Sequence, residues 1–202
     1  MKHLFLKGKD SDSPTLLLLH GTGGTEQDLL PLARMIDESA NVLSVRGNVL
    51  ENGMPRFFRR LAEGVFDEKD LIERTAELNK FLDEAAEQYD FNRKRIIAVG
   101  YSNGANIAAS LLFHNEDALL GASLHHPMVP RRDIVLPDLS NCHVFIAAGL
   151  NDPLCSPEES EELKTLLAEA GADVSLHWEN KGHQLSTSEV EAAREWYNAY
   201  YK

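Results

Sequence analysis

Cysteine is scarce in this sequence, and no stretch of it is long and apolar enough to cross a membrane. The 202 residues include 2 cysteines, Cys142 and Cys155, which do not form a C-x-x-C pair. This usage indicates a reduced compartment rather than a disulfide framework. No basic segment followed by an apolar core opens the chain. No run approaches the ~18 apolar residues that a spanning helix needs. We therefore expect a cytoplasmic protein without a membrane span.

Positive charge is also in short supply. The chain has 20 Lys and Arg residues against 32 Asp and Glu residues, which gives a formal net charge of -12. A surface of this sign repels the phosphates of nucleic acids and of anionic lipids. We therefore expect no nucleic-acid partner, and we predict a monomer or homodimer that acts on a small molecule.

Strand-like and helix-like segments alternate along the chain. Residues 70–89 repeat their apolar positions with the helical period. Two S-x-x-E sequences, at 156–159 and 186–189, predict capping boxes at the starts of two later helices. The strand-like runs begin near Leu4, Thr15, Asn41, Arg95, Ala122, His143 and Asp173. This alternation predicts a single α/β domain over residues 1–202, with a mostly parallel sheet, helices on both faces and no large cap domain.

A G-x-S-x-G sequence at residues 100–104 centres on Ser102. It follows the strand-like run 95–99 and leads into a helix-like segment at 105–114. A serine between a strand and a helix, with glycine two residues away on each side, is typical of the nucleophile elbow of α/β-hydrolases. The alternative is a glycine-rich turn with an incidental serine. The flanking strand and helix favour Ser102 as a nucleophile.

Two later residues complete a candidate triad in the order Ser, Asp, His. Asp152 follows the apolar run 143–149, so it lies just past the carboxyl end of a predicted strand, where open α/β sheets bind ligands. His183 follows the predicted strand 173–178 and precedes the last helix. His183 would act as general base towards Ser102, and Asp152 would orient its ring. A turn-forming Asp-Pro pair and a solvated loop histidine are the alternatives.

A glycine-rich loop at residues 20–24 follows the apolar strand 16–19. Loops of this kind supply one backbone donor of the oxyanion hole in lipases and esterases. The predicted donors are the backbone N–H groups of Thr22 and of Asn103, the residue after the nucleophile. A phosphate-binding loop is the alternative, but neither G-x-x-x-x-G-K-[ST] nor G-x-G-x-x-G occurs here.

Together these motifs resemble the phospholipase/carboxylesterase family of α/β-hydrolases, which includes the acyl-protein thioesterases. The resemblance covers nearly the whole chain and implies a cofactor-free serine hydrolase with the same triad. Residues 46–48 and 55–60 are similar to those of a bacterial subgroup linked to hydroquinone and quinone stress. Asn103 stands where the thioesterases usually carry glutamine, which argues against protein depalmitoylation.

Substrate selection is expected from the long connection 46–66, in which four arginines outnumber two glutamates. We predict that Phe57, Phe58 and Arg59 overhang the site as an aromatic, positively charged wall. The alternative is that the phenylalanines belong to the core and the arginines pair with acidic helices. His126 and Met128 form a second candidate wall. The adjacent histidines 125 and 126 suggest a metal, but no third ligand at a recognisable spacing supports one.

Three functions remain open from the sequence. The first is a carboxylesterase that cleaves small to medium esters or thioesters through an acyl-enzyme on Ser102. The second is a lactone or carbon–carbon bond hydrolase of aromatic breakdown products, as the subgroup resemblance implies. The third is a ligand-binding module that keeps the scaffold without turnover, although the intact candidate triad argues against it.

Overall fold

The computed structural model describes residues 1–10 and 12–202, which form eleven strands and five helices. In chain order these are β1 (His3–Leu6), β2 (Thr15–Leu19), α1 (Leu30–Ile36), β3 (Val42–Val45), β4 (Val49–Glu51), β5 (Met54–Arg56), β6 (Arg60–Ala62) and β7 (Val65–Phe66). They continue with α2 (Glu68–Tyr89), β8 (Ile96–Tyr101), α3 (Asn103–His114), β9 (Gly121–His125), β10 (His143–Gly149), α4 (Pro157–Glu169), β11 (Asp173–Glu179) and α5 (Thr187–Tyr201).

Seven strands form the central sheet in the order β1-β3-β2-β8-β9-β10-β11. Only β1 runs antiparallel to its neighbour among the described strands of this sheet. The chain steps from β2 to β3 on one side and then crosses to β8 on the other side of β2. The strand order therefore reverses between β2 and β8, and a ligand site is expected outside the carboxyl ends of these two strands.

Two hydrophobic cores lie on opposite faces of the sheet. Alternate residues of β2 point to each face, so Leu17 and Leu19 belong to one core while Leu16 and Leu18 belong to the other. The first core is covered by α2, α3 and α4, and the second by α1 and α5. Burying each leucine contributes roughly 1.5–3 kcal/mol. The predicted α/β-hydrolase fold is confirmed, and the described residues include no large cap domain.

The connection 46–66 is more regular than the sequence indicates. It folds into two small hairpins, β4–β5 and β6–β7. The first hairpin turns at Asn52 and Gly53, whose φ values are 52° and 80°. An Asn-Gly pair with positive φ is a preferred tight turn between antiparallel strands, so this signal was present in the sequence. The hairpins bring residues of this segment against the same cavity as Ser102.

One of the two predicted capping boxes forms. At α5 the side chain of Ser186 accepts from the backbone of Glu189, and the Glu189 side chain accepts from the backbone of Ser186. At α4, Ser156 precedes the helix but makes no capping hydrogen bond. The Glu159 carboxylate instead accepts from the backbone N–H of Val129 at 2.9 Å. None of the helices in the described ranges has the length and apolar character required to cross a membrane.

Candidate active site

Ser102 lies in the tight turn between β8 and α3. Its φ of 53° and ψ of -114° place it in a region that costs about 1–3 kcal/mol for a residue with a side chain. A Cβ on Gly100 would lie 2.7 Å from the backbone of Ala105, and one on Gly104 would collide with the carbonyl group of Leu19. Glycine is therefore required on both sides of the serine. The turn brings Ser102 to the wall of a cavity.

The structure brings Ser102, His183 and Asp152 into one hydrogen-bonded row. Oγ of Ser102 lies 2.8 Å from Nε2 of His183, and Nδ1 of His183 lies 2.7 Å from Oδ2 of Asp152. The three residues follow β8, β11 and β10, whose carboxyl ends meet at the same edge of the sheet. Because Nδ1 donates to a carboxylate, Nε2 can accept the hydroxyl proton of Ser102.

Four hydrogen bonds hold the carboxylate of Asp152. Oδ1 accepts from the backbone N–H groups of Leu154 at 2.8 Å and Cys155 at 3.1 Å. Oδ2 accepts from His183 and also from Nδ1 of His126 at 3.0 Å. Burial favours the neutral acid, but the hydrogen bonds outweigh it and lower the pKa of Asp152. The carboxylate is therefore ionised at neutral pH, the form that stabilises a protonated histidine.

Both predicted oxyanion donors border the cavity. Among the described residues, neither the backbone N–H of Thr22 nor that of Asn103 has a hydrogen-bond acceptor in the protein. Asn103 is the first residue of α3, where unpaired N–H groups favour negative charge. Its side-chain oxygen accepts from the backbone of Phe57 at 2.7 Å, which fixes the start of the helix.

His20 holds the glycine-rich loop in place. Its Nδ1 donates to the carbonyl of Gly21 at 2.6 Å, and its Nε2 accepts from the backbone N–H of Gly47 at 3.0 Å. Burial lowers the pKa of His20, so the ring stays neutral and keeps one acceptor nitrogen. Thr22 is held in turn by the guanidinium of Arg56, which donates to its hydroxyl at 2.7 Å.

A cavity of about 360 Å³ opens at Ser102 and His183. Two of the predicted substrate-binding residues, His126 and Met128, line it. The wall also contains residues that the sequence did not assign to the site: Arg56, Arg60, Phe66, Tyr101, Asn106 and Leu154. Apolar, guanidinium and amide side chains and the acidic residue Glu63 therefore share the wall around the nucleophile.

Phe57, Phe58 and Arg59 do not line this cavity, which corrects the prediction made for them. Phe57 and Phe58 are 1% and 0% exposed and belong to the core. Arg59 is exposed and forms ion pairs with Asp67 and Asp70 at the start of α2. Residues 57–59 lie between the two hairpins and belong to neither pair of strands, so no alternation in the sequence indicated which of their side chains meet the cavity. Arg56 and Arg60 supply the positive charge there instead.

The adjacent histidines lie behind Asp152. His125 is fully buried, and its Nδ1 donates to Glu189 at 2.7 Å. His126 contacts both Asp152 and Glu189. Side-chain atoms of His126, Asp152 and His183 lie within 4.8 Å of one another, but hydrogen bonds to Asp152 already join them, and we infer no metal site. The sequence singled out Glu189 only as part of a capping box.

The fold and this arrangement define a hydrolase of the α/β-hydrolase fold. The chain belongs to the dienelactone hydrolase family, whose pattern matches residues 55–200. The expected resemblance to carboxylesterases of the α/β-hydrolase fold is confirmed.

Close relatives support the same class. The chain is 64% identical to the putative hydrolase MhqD of Bacillus subtilis over 98% of both chains. It is 70% identical to the carboxylesterase of Bacillus cereus, whose crystal structure matches 98% of this chain and 94% of that one with a TM-score of 0.98. YahD, solved with malic acid, is 32% identical over 100% of this chain and 99% of its own, with a TM-score of 0.94. The protein is therefore a hydrolase of the dienelactone hydrolase and carboxylesterase type.

Proposed function

We propose that the protein is a serine carboxylesterase that forms an acyl-enzyme on Ser102. The observation that supports this proposal is the continuous row Ser102–His183–Asp152, with hydrogen-bonded separations of 2.8 Å and 2.7 Å. A hydroxyl becomes a good nucleophile when an oriented base accepts its proton, and this row provides both the base and the group that orients it.

The reaction follows from the positions of these groups. Nε2 of His183 accepts the proton as Oγ of Ser102 attacks the ester carbonyl carbon. The N–H groups of Thr22 and Asn103 stabilise the oxyanion of the tetrahedral intermediate, and each such donor is worth about 2.7–4 kcal/mol. The intermediate collapses, His183 returns the proton to the leaving alcohol, and the acyl group stays on Ser102. A water molecule activated by His183 then releases the acid.

The cavity favours substrates of small to medium size. Its volume of about 360 Å³ lies near the lower end of the range for small-molecule sites. Phe66, Met128 and Leu154 offer apolar contacts for a short acyl or alcohol group. Esters and thioesters of short carboxylic acids are therefore the proposed substrates, and no cofactor is proposed.

The test is hydrolysis of p-nitrophenyl acetate, butyrate and octanoate by the wild type and by Ser102→Ala, with fluorophosphonate labelling of both. We expect the wild type to turn over and to be labelled, and the variant to lose labelling and at least on the order of 10⁴-fold in kcat. Ser140→Ala, at an exposed serine outside the cavity, is the control and should behave as wild type.

Two outcomes would reject the proposal. Full activity of Ser102→Ala would show that another group is the nucleophile. A wild type that binds these esters without turnover, and that resists the fluorophosphonate, would favour the ligand-binding module on the hydrolase scaffold.

A second candidate is hydrolysis of a lactone, or of a carbon–carbon bond, in a carboxylate-bearing product of aromatic degradation. Two observations favour it: the chain belongs to the dienelactone hydrolase family, and Arg56 and Arg60 line the cavity. Arg56 is buried and paired with Glu51 at 3.2 Å. The Nε of Arg60 is bound to Glu51 at 2.9 Å, and its side chain is 31% exposed. Since Glu51 binds Nε of Arg60, the other N–H groups of this guanidinium can bind a substrate carboxylate.

The variant Arg60→Ala tests this second candidate. We expect it to raise KM for a lactone that carries a carboxylate by about 10-fold, a loss of about 1.4 kcal/mol, and to leave KM for p-nitrophenyl acetate unchanged. Arg59→Ala is the matched control, because this neighbour pairs with Asp67 and Asp70 outside the cavity. Equal KM changes for both substrates, or in both variants, would argue against a carboxylate contact at Arg60.

A further inference from the structure

His126 lies directly behind the Ser102–His183–Asp152 row in a strained backbone conformation. Its side chain is 0% exposed, and its φ is 54°. A residue with a side chain pays about 1–3 kcal/mol for such a conformation, which persists only where the surroundings hold it. The backbone N–H of His126 donates to the carbonyl of Ala147 on β10 at 2.8 Å. The structure therefore maintains this strain at a residue in contact with Asp152.

The ring of His126 connects Asp152 to the start of α5. Its Nδ1 lies 3.0 Å from Oδ2 of Asp152, and its Nε2 lies 3.3 Å from Oε2 of Glu189. The same Oε2 accepts from the backbone N–H of Ser186 at 3.2 Å. Ser186 follows His183 by three residues and lies in the same loop. The hydrogen bonds therefore form a closed circuit, from His183 through Asp152, His126 and Glu189 back to this loop.

Both nitrogens of the His126 ring face carboxylate oxygens. A neutral imidazole would place a lone pair against one of these carboxylates, whereas an imidazolium donates to both. Burial favours the neutral ring, but Glu189 and Asp152 outweigh it and raise the pKa of His126. Burial likewise favours a neutral Glu189, but hydrogen bonds from His125 and His126 lower its pKa to about 2. The two carboxylate contacts therefore favour a cation between two buried anions.

We propose that His126 is a positioning residue, whose charged ring, held by Glu189, fixes the carboxylate of Asp152 in line with His183. This inference rests on the proposed function, because it assigns a task that matters only if His183 is the general base. Two backbone N–H groups hold Oδ1 of Asp152, whereas Oδ2 accepts from the rings of His183 and His126. Without His126, Oδ2 would lose one of these two donors, and a buried carboxylate oxygen is costly to leave under-satisfied. The cation stabilises Asp152 in its ionised form, and the ring holds it in one rotamer.

The positive charge also affects the pH range of activity. His126 lies next to His183, with ring centroids 5.2 Å apart, so a positive charge on His126 lies beside the general base. Removing this charge leaves the carboxylates of Asp152 and Glu189 without this cation. The acid limb of the kcat/KM profile should then move to higher pH. The titratable groups that face His126 are Tyr101 on β8, His125 on β9, Asp152 after β10, His183 after β11 and Glu189 on α5.

Two substitutions of His126 separate the effect of its hydrogen bond to Asp152 from the effect of its positive charge. His126→Ala removes the donor to Asp152, whereas the amide of His126→Asn can replace Nδ1 but carries no charge and does not reach Glu189. Asparagine also tolerates a positive φ. We expect His126→Ala to lower kcat and the rate of fluorophosphonate labelling together by about 10- to 100-fold. His126→Asn should recover part of this loss, and the acid limb should shift upward in both variants.

The control variant is His143→Asn. His143 lies 3.6 Å from the carboxylate of Asp173, and in the described residues no hydrogen bond joins it to Asp152 or Glu189. We expect its kcat and its acid limb to match those of the wild type. The proposal is overturned if folded His126→Ala keeps wild-type kcat and pH profile. It is equally overturned if His143→Asn reproduces the loss and the shift seen in His126→Asn.

A measurement on the wild type keeps the proposal testable if the variants do not fold. In protein labelled with ¹⁵N-histidine, the ring of His126 should show both nitrogens protonated at neutral pH. A ring with one unprotonated nitrogen would refute the charged pair. Because this readout does not depend on turnover, it separates failure of this inference from failure of the esterase proposal, which Ser102→Ala tests.

Discussion

At the scale of single residues, the site depends on contacts between side chains and backbone groups far apart in the chain. Tyr101 precedes the nucleophile, and its hydroxyl donates to the backbone carbonyl of His183 at 2.6 Å. This contact holds the loop that carries the proposed general base. Hydrogen bonds of this kind contribute about 0.5–1.5 kcal/mol to stability, and here the bond also limits where His183 can lie.

Replacing Tyr101 with phenylalanine removes this hydrogen bond and keeps the ring. We expect kcat for p-nitrophenyl acetate to fall on the order of 10-fold, because a small displacement of the base misaligns the proton transfer. Steady-state kinetics and urea unfolding of the variant measure both effects.

Tyr89→Phe is the matched control for this substitution. Its hydroxyl makes a comparable 2.8 Å contact with His3, far from the cavity. Tyr89→Phe should lower the free energy of unfolding by a similar amount and leave kcat unchanged. The proposed role of Tyr101 would be wrong if the two variants had the same kcat.

At the scale of elements, the starts of the helices decide where the loops after the strands lie. The loop after β11, which carries His183, ends at the capping box of α5. The loop after β10, which carries Asp152, ends at α4, where Ser156 makes no capping bond. The Asp152 loop is held by its own carboxylate, which accepts from Leu154 and Cys155.

Ser186→Ala should therefore destabilise the protein more than Ser156→Ala. The first substitution removes the side-chain acceptor of the Glu189 N–H, 3.2 Å away, and should cost about 0.5–2 kcal/mol. The second removes an exposed hydroxyl without a capping role and should change stability by less than about 0.5 kcal/mol. Equilibrium unfolding in urea checks both values. Equal losses would show that the cap does not anchor this loop.

At the scale of the whole molecule, one buried carboxylate ties the C-terminal helix to the other end of the chain. Asp37 accepts from Tyr197 at 2.9 Å and from Lys202 at 3.1 Å, and it also binds Ser13 and Ser39. Burial raises the pKa of Asp37, but its hydrogen bonds outweigh burial and lower the pKa from 3.8 to about 2. The ionised form thus stabilises the fold above pH 4, and this stabilisation is lost as the pH falls to about 2.

Asp37→Asn should therefore lower the free energy of unfolding at pH 7 by about 2 kcal/mol. Between pH 4 and pH 2 the variant should lose less stability than the wild type, because it has no carboxylate to protonate at this position. Urea unfolding across this pH range measures the difference. Glu38→Gln, at the exposed neighbouring residue, should follow the wild type. Parallel curves for wild type and Asp37→Asn would contradict the role of Asp37.

The sequence by itself determined the fold class and the row of proposed catalytic residues. The central strands begin within one residue of the predicted starts, because alternation and apolar runs are local properties of the chain. Ser102 was recognisable because its turn requires Gly100 and Gly104, whose Cβ atoms would collide with neighbouring backbone. Asp152 and His183 were recognisable because parallel strands place their carboxyl ends at one edge, whatever the distance along the chain.

Only the tertiary structure decided which side chains surround the nucleophile. Arg56 at the end of β5 and Arg60 at the start of β6 line the cavity, while Phe57 in the connection between them lies in the core. The pair of His126 and Glu189 joins residues 63 positions apart. No local pattern specifies such a contact, because it arises where the end of β9 meets the start of α5. Long-range packing therefore determined the cavity wall and the support behind Asp152.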